Sequence, residues 1–174
     1  MRTLYIDFTR PIDKPFPVFS YGIRAVQGTP YSHVRLRWIN STGRQVIYEA
    51  SGSSVKFVGT LAQEQSKVHI VKSYEIGLDR SRYRGLIDLC MEYAGVNYGK
   101  LQIIGIALAY LFNMSKNPLS SGKYSQVCSE LVGRFLEEVM GFELHLNLDV
   151  AGPLQIDMVL EDLCERHPGA LRAT

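Results

Sequence analysis

Residues 124–132 read YSQVCSELV and place Cys128 close to the start of a predicted helix. Ser125 is a favourable N-cap residue, and apolar side chains recur with helical spacing from residue 126 to residue 140. Gly141 then supplies a stop signal. The pattern predicts a helix over residues 126–140, with Cys128 in its first turn near position N3.

A cysteine in the first turn of a helix has an unusual electrostatic environment. The unpaired backbone N–H groups and the positive end of the helix dipole stabilise an anion, so they favour the nucleophilic thiolate. A neighbouring base would complete the activation. The alternative interpretation of Cys128 is a buried structural cysteine near a helix start.

Length and composition indicate one domain over residues 1–174. A chain of 174 residues with 46% hydrophobic content is long enough for one well-buried core and short for two. Nineteen basic and seventeen acidic residues give a formal charge of +2. This balance predicts neither nucleic acid nor an anionic membrane as the defining partner.

The three cysteines, Cys90, Cys128 and Cys164, lie far apart in the sequence. An odd number without close pairs fits neither a disulfide framework nor a zinc site, and favours a reducing compartment. No glycine-rich phosphate loop with its lysine occurs either. We therefore expect no metal and no cofactor.

The N-terminal stretch carries Arg2, Asp7, Arg10 and Asp13, which interrupt any apolar run that a secretory signal would need. The longest apolar segment, residues 101–112, is too short to span a bilayer as a helix. It predicts a core helix, with a membrane-touching surface as the lesser alternative. We expect a cytoplasmic protein, or one delivered without a signal peptide, for example by a phage particle.

Strand patterns predict an antiparallel sheet. Residues 4–8 form one strand, and residues 31–39 and 44–50 alternate on either side of a turn at 40–43, which predicts a hairpin. If Trp38 pairs with Arg44, His33 stands opposite Glu49 on the same face. Residues 54–58 and 67–74 predict two further strands.

The remaining segments predict helices, one turn and one more strand. A short helix is expected over 20–26, another after the cap residue Asp79 with Cys90 on its apolar side, and a terminal one over 157–166 with Cys164 in the core. Residues 96–99 predict a turn. Residues 142–148 alternate and predict a strand with a solvated His145. Pro11, Pro15 and Pro17 predict an extended connection.

Three residues of the predicted fold are of the types that a thiol-dependent active site needs. Cys128 lies at a helix start, His33 at a strand start, and Glu49 one strand later. A thiol nucleophile needs an imidazole within hydrogen-bond reach and a third group that holds the imidazole in the correct tautomer. These three residue types supply a nucleophile, a base and an orienting group.

Three segments in the same order carry a family resemblance: GTPYSHV at residues 28–34, VIYEA at 46–50 and YSQVCSELV at 124–132. Together they resemble the circularly permuted papain-like hydrolases of the NlpC superfamily, specifically the YiiX/YaeF-like branch. In that branch the histidine strand precedes the cysteine helix. The resemblance implies an α+β fold in which an antiparallel sheet packs against helices that include the nucleophile helix.

The resemblance also implies roles for individual residues. Cys128 would be the nucleophile, His33 the general base and then the general acid, and Glu49 the group that orients the imidazole. Tyr98 matches a segment in which such enzymes keep a tyrosine near the site, so it would contact substrate or help stabilise the oxyanion. The backbone N–H of Cys128 is the natural oxyanion donor.

Two features depart from related sequences. This family commonly has a small residue soon after the histidine, whereas Arg35 and Arg37 occupy the strand here. They would narrow the cleft or favour an anionic substrate, or else be solvated at the sheet edge. The lecithin retinol acyltransferase-like members have the motif Asn-Cys-Glu-His-Phe, from which residues 127–131 differ, and this favours hydrolysis over transfer.

The function implied is a cysteine amidase or peptidase that cleaves a peptide or acyl-amide substrate through an acyl-enzyme on Cys128. Cell-wall peptides are the substrate class best represented in the superfamily. An acyltransferase, or a lipid or thioester hydrolase, is the first alternative, and a non-catalytic binding or structural module is the second. The substrate's identity and the oligomeric state stay open.

Overall fold

The computed structural model describes residues 2–12, 18–58, 67–120 and 125–174. The predicted extended connection at Pro15 and Pro17, and Tyr124 of the cysteine segment, lie outside the described residues. Within them the chain forms an α+β structure built on one mixed sheet, which confirms the predicted class. Its strands are β1 Arg2–Pro11, β2 His33–Ile39, β3 Gln45–Ser51, β4 Ser54–Val58, β5 Val68–Leu78, β6 Asn97–Tyr98, β7 Ser125–Gln126 and β8 Leu171–Ala173.

The strand order is β7-β6-β4-β3-β2-β1-β5-β8, so β2, with His33, lies in the interior of the sheet. Every pair is antiparallel except β6 with β7, which is parallel. The prediction of a wholly antiparallel sheet is therefore wrong at this edge. The segment containing Tyr98, predicted as a turn, is strand β6 because it pairs with β4 and β7.

Five helices accompany the sheet in the described part of the chain. They are α1 Val18–Gln27, α2 Arg80–Tyr93, α3 Lys100–Leu111, α4 Cys128–Arg134, which continues into a π-helical turn Phe135–Val139, and α5 Pro153–Arg166. Asp79 caps α2 as predicted, since its Oδ1 accepts a hydrogen bond from the backbone N–H of Arg82 at 2.8 Å. Gly141 ends the π-helical turn with a φ of 73°, a value that glycine adopts without strain.

The β2–β3 hairpin has the predicted faces but not the predicted register. Trp38 pairs with Val46 rather than with Arg44, so the five-residue loop lies one position further along the chain. This changes the pairing by two residues, and a two-residue shift leaves each side chain on its original face. His33 and Glu49 consequently remain on one face and meet along a diagonal.

The start of α4 differs from the prediction. Ser125 does not cap the helix, because it belongs to β7 and its hydroxyl donates to Oε1 of Gln102 at 3.0 Å. Val127 occupies the N-cap position without a side-chain hydrogen bond, and Cys128 is the first helical residue, N1, rather than N3. Strand pairing with β6 takes the residues that local capping preference would have used.

Residues 142–148 do not form the predicted strand. Their alternation is nevertheless visible in the burial, since Leu144 is buried and Leu146 and Leu148 pack against the core while the residues between them are exposed. His145 is solvated as expected, but its φ of 49° is incompatible with an extended strand. The period-two pattern here reflects an irregular segment that lies on the core without a partner strand.

The core lies between the sheet and helices α2, α4 and α5. Cys90 is fully buried in it, as predicted, and Cys164 packs against it from a partly exposed position. The carboxylate of Asp157 ties α5 to the sheet by accepting hydrogen bonds from the hydroxyls of Tyr31 and Tyr74, each at 2.5 Å.

Helix α3 is less buried than the predicted core helix. One side, which includes Ile106 and Ala109, is buried. The opposite side exposes Leu101, Leu111 and the following Phe112 by 67%, 62% and 70%. None of the described helices combines the length and the hydropathy that a membrane span requires.

Candidate active site

Three elements bring together the residues predicted to carry the chemistry. His33 is the first residue of β2, Glu49 lies in the neighbouring strand β3, and Cys128 is the first residue of α4. Helix α4 packs against both strands, which places its N-terminus at the beginning of β2. The site therefore depends on one hairpin and one helix start that are far apart in sequence.

The imidazole of His33 is oriented by Glu49. Its Nε2 lies 3.0 Å from Oε2 of Glu49, and the other carboxylate oxygen, Oε1, accepts a hydrogen bond from the hydroxyl of Ser51 at 2.5 Å. Both oxygens are thus engaged. The interaction at Nε2 leaves Nδ1 of His33 as the nitrogen available to Cys128, with which the imidazole is also hydrogen bonded.

The thiol of Cys128 is buried, with 4% of the residue exposed. Burial alone would raise its pKa, but the positive imidazole of His33 and its hydrogen bond act in the opposite direction. The backbone N–H groups of Val34 and Ser129 also donate to the sulfur. Together these contacts hold the pKa of Cys128 below the ordinary value for a thiol.

The pKa values of the two partners shift in the matching directions. Burial opposes the charge on His33, but the negative charges of Cys128 and Glu49 outweigh it and raise the pKa of His33 to about 10. Burial likewise opposes the charge on Glu49, whereas contact with His33, Ser51 and Arg35 lowers its pKa to about 2. These shifts favour the thiolate, the imidazolium and the carboxylate over the corresponding neutral forms.

Tyr98 lies in the same site, where both Cys128 and Glu49 act on it electrostatically. Burial, followed by these two negative charges, raises the pKa of its phenol well above the ordinary value. The hydroxyl therefore stays protonated, as a hydrogen-bond donor beside the thiolate.

Two adjoining cavities meet at these residues. A cleft passes His33, Glu49 and Tyr98 and is bordered by Ser32 and Lys100. A second pocket lies on the other side of Cys128, between α1 and α3, and is almost entirely apolar. Its apolar lining includes Ile23, Val26, Ile103, Ile106, Ala107 and Val127.

The two arginines of β2 are not solvated at a sheet edge, and the residues that line the two cavities do not include them. Arg35 is 1% exposed and forms ion pairs with Asp7 and Glu49, each at 3.8 Å. Arg37 donates two hydrogen bonds to Asp7, at 2.6 and 2.9 Å. Both charges are thus paired with carboxylates of neighbouring strands.

The other two cysteines, and the histidines His69 and His167, lie apart from this site. Cys90 lies in the core, where burial raises its pKa to about 12, and burial also raises the pKa of Cys164. His69 is exposed on β5, and His167 stacks on Phe142. Among the described residues, no group of three or more His, Cys, Asp or Glu side chains is arranged to hold a metal ion.

Sequence reasoning missed two contributors to the site. Ser51 follows Glu49 by two residues in the same strand and so shares its face, a signal that the alternation contained. The backbone N–H of Val34, which donates to the sulfur of Cys128, left no trace in the sequence because every non-proline residue carries such a group.

Comparison with known proteins adds no identification. No protein-family model and no curated protein matches this chain. The functional assignment consequently depends on the geometry and charge of the site itself.

Proposed function

We propose that this chain is a thiol-dependent hydrolase of the circularly permuted papain-like type, which cleaves an amide through an acyl-enzyme on Cys128. The observation that carries the proposal is the contact chain from Cys128 through His33 to Glu49 at the head of α4. A structural cysteine has no need of a buried imidazole that is held by a buried carboxylate. His33 and Glu49 also line an open cleft, and we expect the substrate to bind there.

Acylation begins from the ion pair of Cys128 and His33. The thiolate attacks the carbonyl carbon of the substrate, and the carbonyl π electrons move onto oxygen to give a tetrahedral oxyanion. The intermediate then collapses as Nδ1 of His33 gives its proton to the leaving amine, and the carbon–nitrogen bond breaks. The products of this step are a free amine, neutral His33 and a thioester on Cys128.

Deacylation needs His33 to be a base, and acylation itself makes it one. The charge of the thiolate is the largest contribution that raises the pKa of His33. Thioester formation removes that charge, so the pKa of the imidazole falls towards neutrality. His33 can then take a proton from an attacking water, and it returns that proton to the departing sulfur when the acid product leaves.

Two hydrogen-bond donors near the sulfur are available to the oxyanion. The backbone N–H of Cys128 is at the first position of α4, where a helix leaves amides without intrahelical partners. The protonated hydroxyl of Tyr98 supplies a second candidate donor beside the sulfur. We assign these two groups to stabilisation of the tetrahedral intermediate.

A specific observation favours a second candidate within the same chemistry. The pocket beside Cys128 is apolar, and burial of a hydrocarbon group contributes about 0.8 kcal/mol per CH₂. The pocket is small, about 30 Å³, so only the part of an apolar acyl group next to the scissile bond would enter it, and a lipid ester or thioester would use it better than a polar peptide would. The two candidate functions therefore differ in the group that would occupy the apolar pocket: an apolar acyl group in the lipid substrate, or part of a peptide in the amide substrate.

The test is to trap the acyl-enzyme with activated substrates of both kinds. Wild-type protein is incubated with p-nitrophenyl esters of short, medium and long acyl chains and with peptide p-nitroanilides, and peptide mass spectrometry locates the adduct. We expect acylation of Cys128 and turnover of at least one amide. Turnover of esters that improves with chain length, without amide cleavage, would favour the lipid alternative.

Two controls complete this experiment. Cys90→Ala retains the proposed site and should behave as the wild type does, whereas Cys128→Ser should form no thioester. An amine or alcohol acceptor added to the reaction separates transfer from hydrolysis by the products formed. If no substrate acylates Cys128, or if Cys164 is acylated as fast, the non-catalytic module becomes the better interpretation.

A further inference from the structure

The charged side chain of Arg35 is buried on strand β2, next to Glu49, the residue proposed to orient the imidazole of His33. It lies in β2 two residues after His33 and therefore on the same face of that strand. Only 1% of its side chain is exposed. A charge buried to this extent is costly unless it is paired, so the partners of Arg35 indicate what the charge does.

The described partners come from the two neighbouring strands. Asp7 of β1 stands opposite Arg35 in the register, and its Oδ2 lies 3.8 Å from Nε of the guanidinium. Glu49 of β3 contributes Oε2, which is 3.8 Å from Nη1. The guanidinium therefore bridges two carboxylates across three adjacent strands.

Asp7 is fixed by donors on its other sides. Arg37 donates to both of its oxygens, and the hydroxyl of Ser73 donates to Oδ1 at 2.7 Å. Asp7 is fully buried, so this carboxylate has little freedom to move. It provides a rigid anionic contact for one end of Arg35, while the other end faces Glu49.

We propose that Arg35 is a positioning residue of the Cys128 site, whose guanidinium, anchored by Asp7, holds the Glu49 carboxylate ionised and in place against His33. The contact to Glu49 is longer than a hydrogen bond, so it acts through charge and leaves Oε2 free to accept from Nε2 of His33. The inference rests on the proposed function, since it assigns Arg35 a role in that same site.

The proposal predicts the sign of a change in the pH profile. Formation of the thiolate and later loss of the imidazolium proton both make the site more negative. A nearby positive charge favours both steps, so its removal should move both midpoints to higher pH. Among the described groups, Asp7, Arg37, Glu49, Tyr98 and the Cys128–His33 pair contribute to the field at this site.

The experiment measures the rate of iodoacetamide alkylation at Cys128 as a function of pH in wild type, Arg35→Met and Arg35→Lys. In Arg35→Met we expect both midpoints to rise by about one pH unit, and in Arg35→Lys to return to near the wild-type values. Arg172→Met is the matched control. Arg172 lies on the edge strand β8 and forms an exposed ion pair with Glu75 of β5, so its substitution should leave both midpoints unchanged.

A second variant keeps the test decisive if Arg35→Met does not fold. Arg35→Gln removes the positive charge but keeps a polar side chain that can hydrogen bond to Asp7, so both midpoints should rise as in Arg35→Met. A loss of stability with unchanged midpoints in either variant would overturn the proposal and leave Arg35 a structural ion-pair residue. Failure of the proposed function is a separate result, because wild-type Cys128 would then react no faster at low pH than Cys90 and Cys164.

Discussion

Cys128 and Cys90 are both buried cysteines on helices that pack against the same sheet, with exposures of 4% and 0%. The pKa values of their thiols are nevertheless shifted in opposite directions. Burial raises the pKa of Cys90 to about 12, whereas at Cys128 the effect of burial is outweighed by His33 and by two backbone N–H groups. Burial by itself thus disfavours the thiolate, whereas an adjacent imidazole favours the thiolate even of a buried cysteine.

Substitution of each cysteine by alanine should show the largest difference between the two positions. Cys128→Ala removes the proposed nucleophile, and we expect acyl-enzyme formation to fall by at least about 10³-fold. Cys90→Ala should leave the rate unchanged and reduce the free energy of unfolding by about 1 kcal/mol, since it leaves a small cavity in the core. Active-site titration and urea denaturation measure the two effects, and equal activities would contradict the contrast.

Removal of the imidazole should convert Cys128 into a thiol that resembles Cys90. In His33→Ala the positive charge that lowers the pKa of Cys128 is absent, so burial dominates and the pKa rises above the ordinary value. At pH 6 we expect alkylation of Cys128 to slow by about 10²-fold or more, because each pKa unit removes about nine-tenths of the thiolate. Peptide mass spectrometry with Cys90 and Cys164 as internal references reads this change, and a rate that does not respond would contradict it.

Loss of the carboxylate charge should have a smaller effect on the same contrast. Glu49→Gln keeps a group of similar shape beside Nε2 of His33 but removes a charge that raises the pKa of the imidazole. We expect turnover to fall by about tenfold to a hundredfold, since one pKa unit corresponds to about 1.4 kcal/mol. Turnover close to that of the wild type over the whole pH range would show that the charge of Glu49 is not needed at the imidazole.

The same variant should change how stability depends on acid. The pKa of Glu49 is about 2 in the folded protein, below its ordinary value of 4.5, so its ionised form stabilises the fold above about pH 4.5. That contribution is lost as pH falls from 4.5 through 2. Urea denaturation between pH 5 and pH 2 should therefore show a weaker loss of stability in Glu49→Gln than in the wild type, and parallel curves would contradict the assigned pKa.

Sequence patterns predicted most of the elements that build the site. The alternation of residues 31–39 placed His33 on the polar face of a strand, and the strand predicted at 54–58 is β4 Ser54–Val58. Residues 101–112 were predicted as a helix, which is α3 Lys100–Leu111. These predictions succeed because side-chain periodicity follows directly from backbone geometry.

The predictions that failed depend on contacts between distant segments. Ser125 has the composition of a helix cap, yet β6 recruits it into the sheet, so α4 begins at Cys128. Residues 142–148 have the alternation of a strand but no neighbouring strand to pair with. In both cases a partner far away in the chain decides the local conformation, and a local pattern cannot report it.

The sequence by itself determined the α+β class, the shared face of His33 and Glu49, and the presence of a cysteine near a helix start. Only the tertiary structure decided that Cys128 reaches His33, that Ser51 holds Glu49, and that Arg35 is buried between two carboxylates. The reason is physical. Periodicity sets the direction of each side chain, whereas distances of a few ångströms, and the pKa values that follow from them, are set by how sheet and helix pack together.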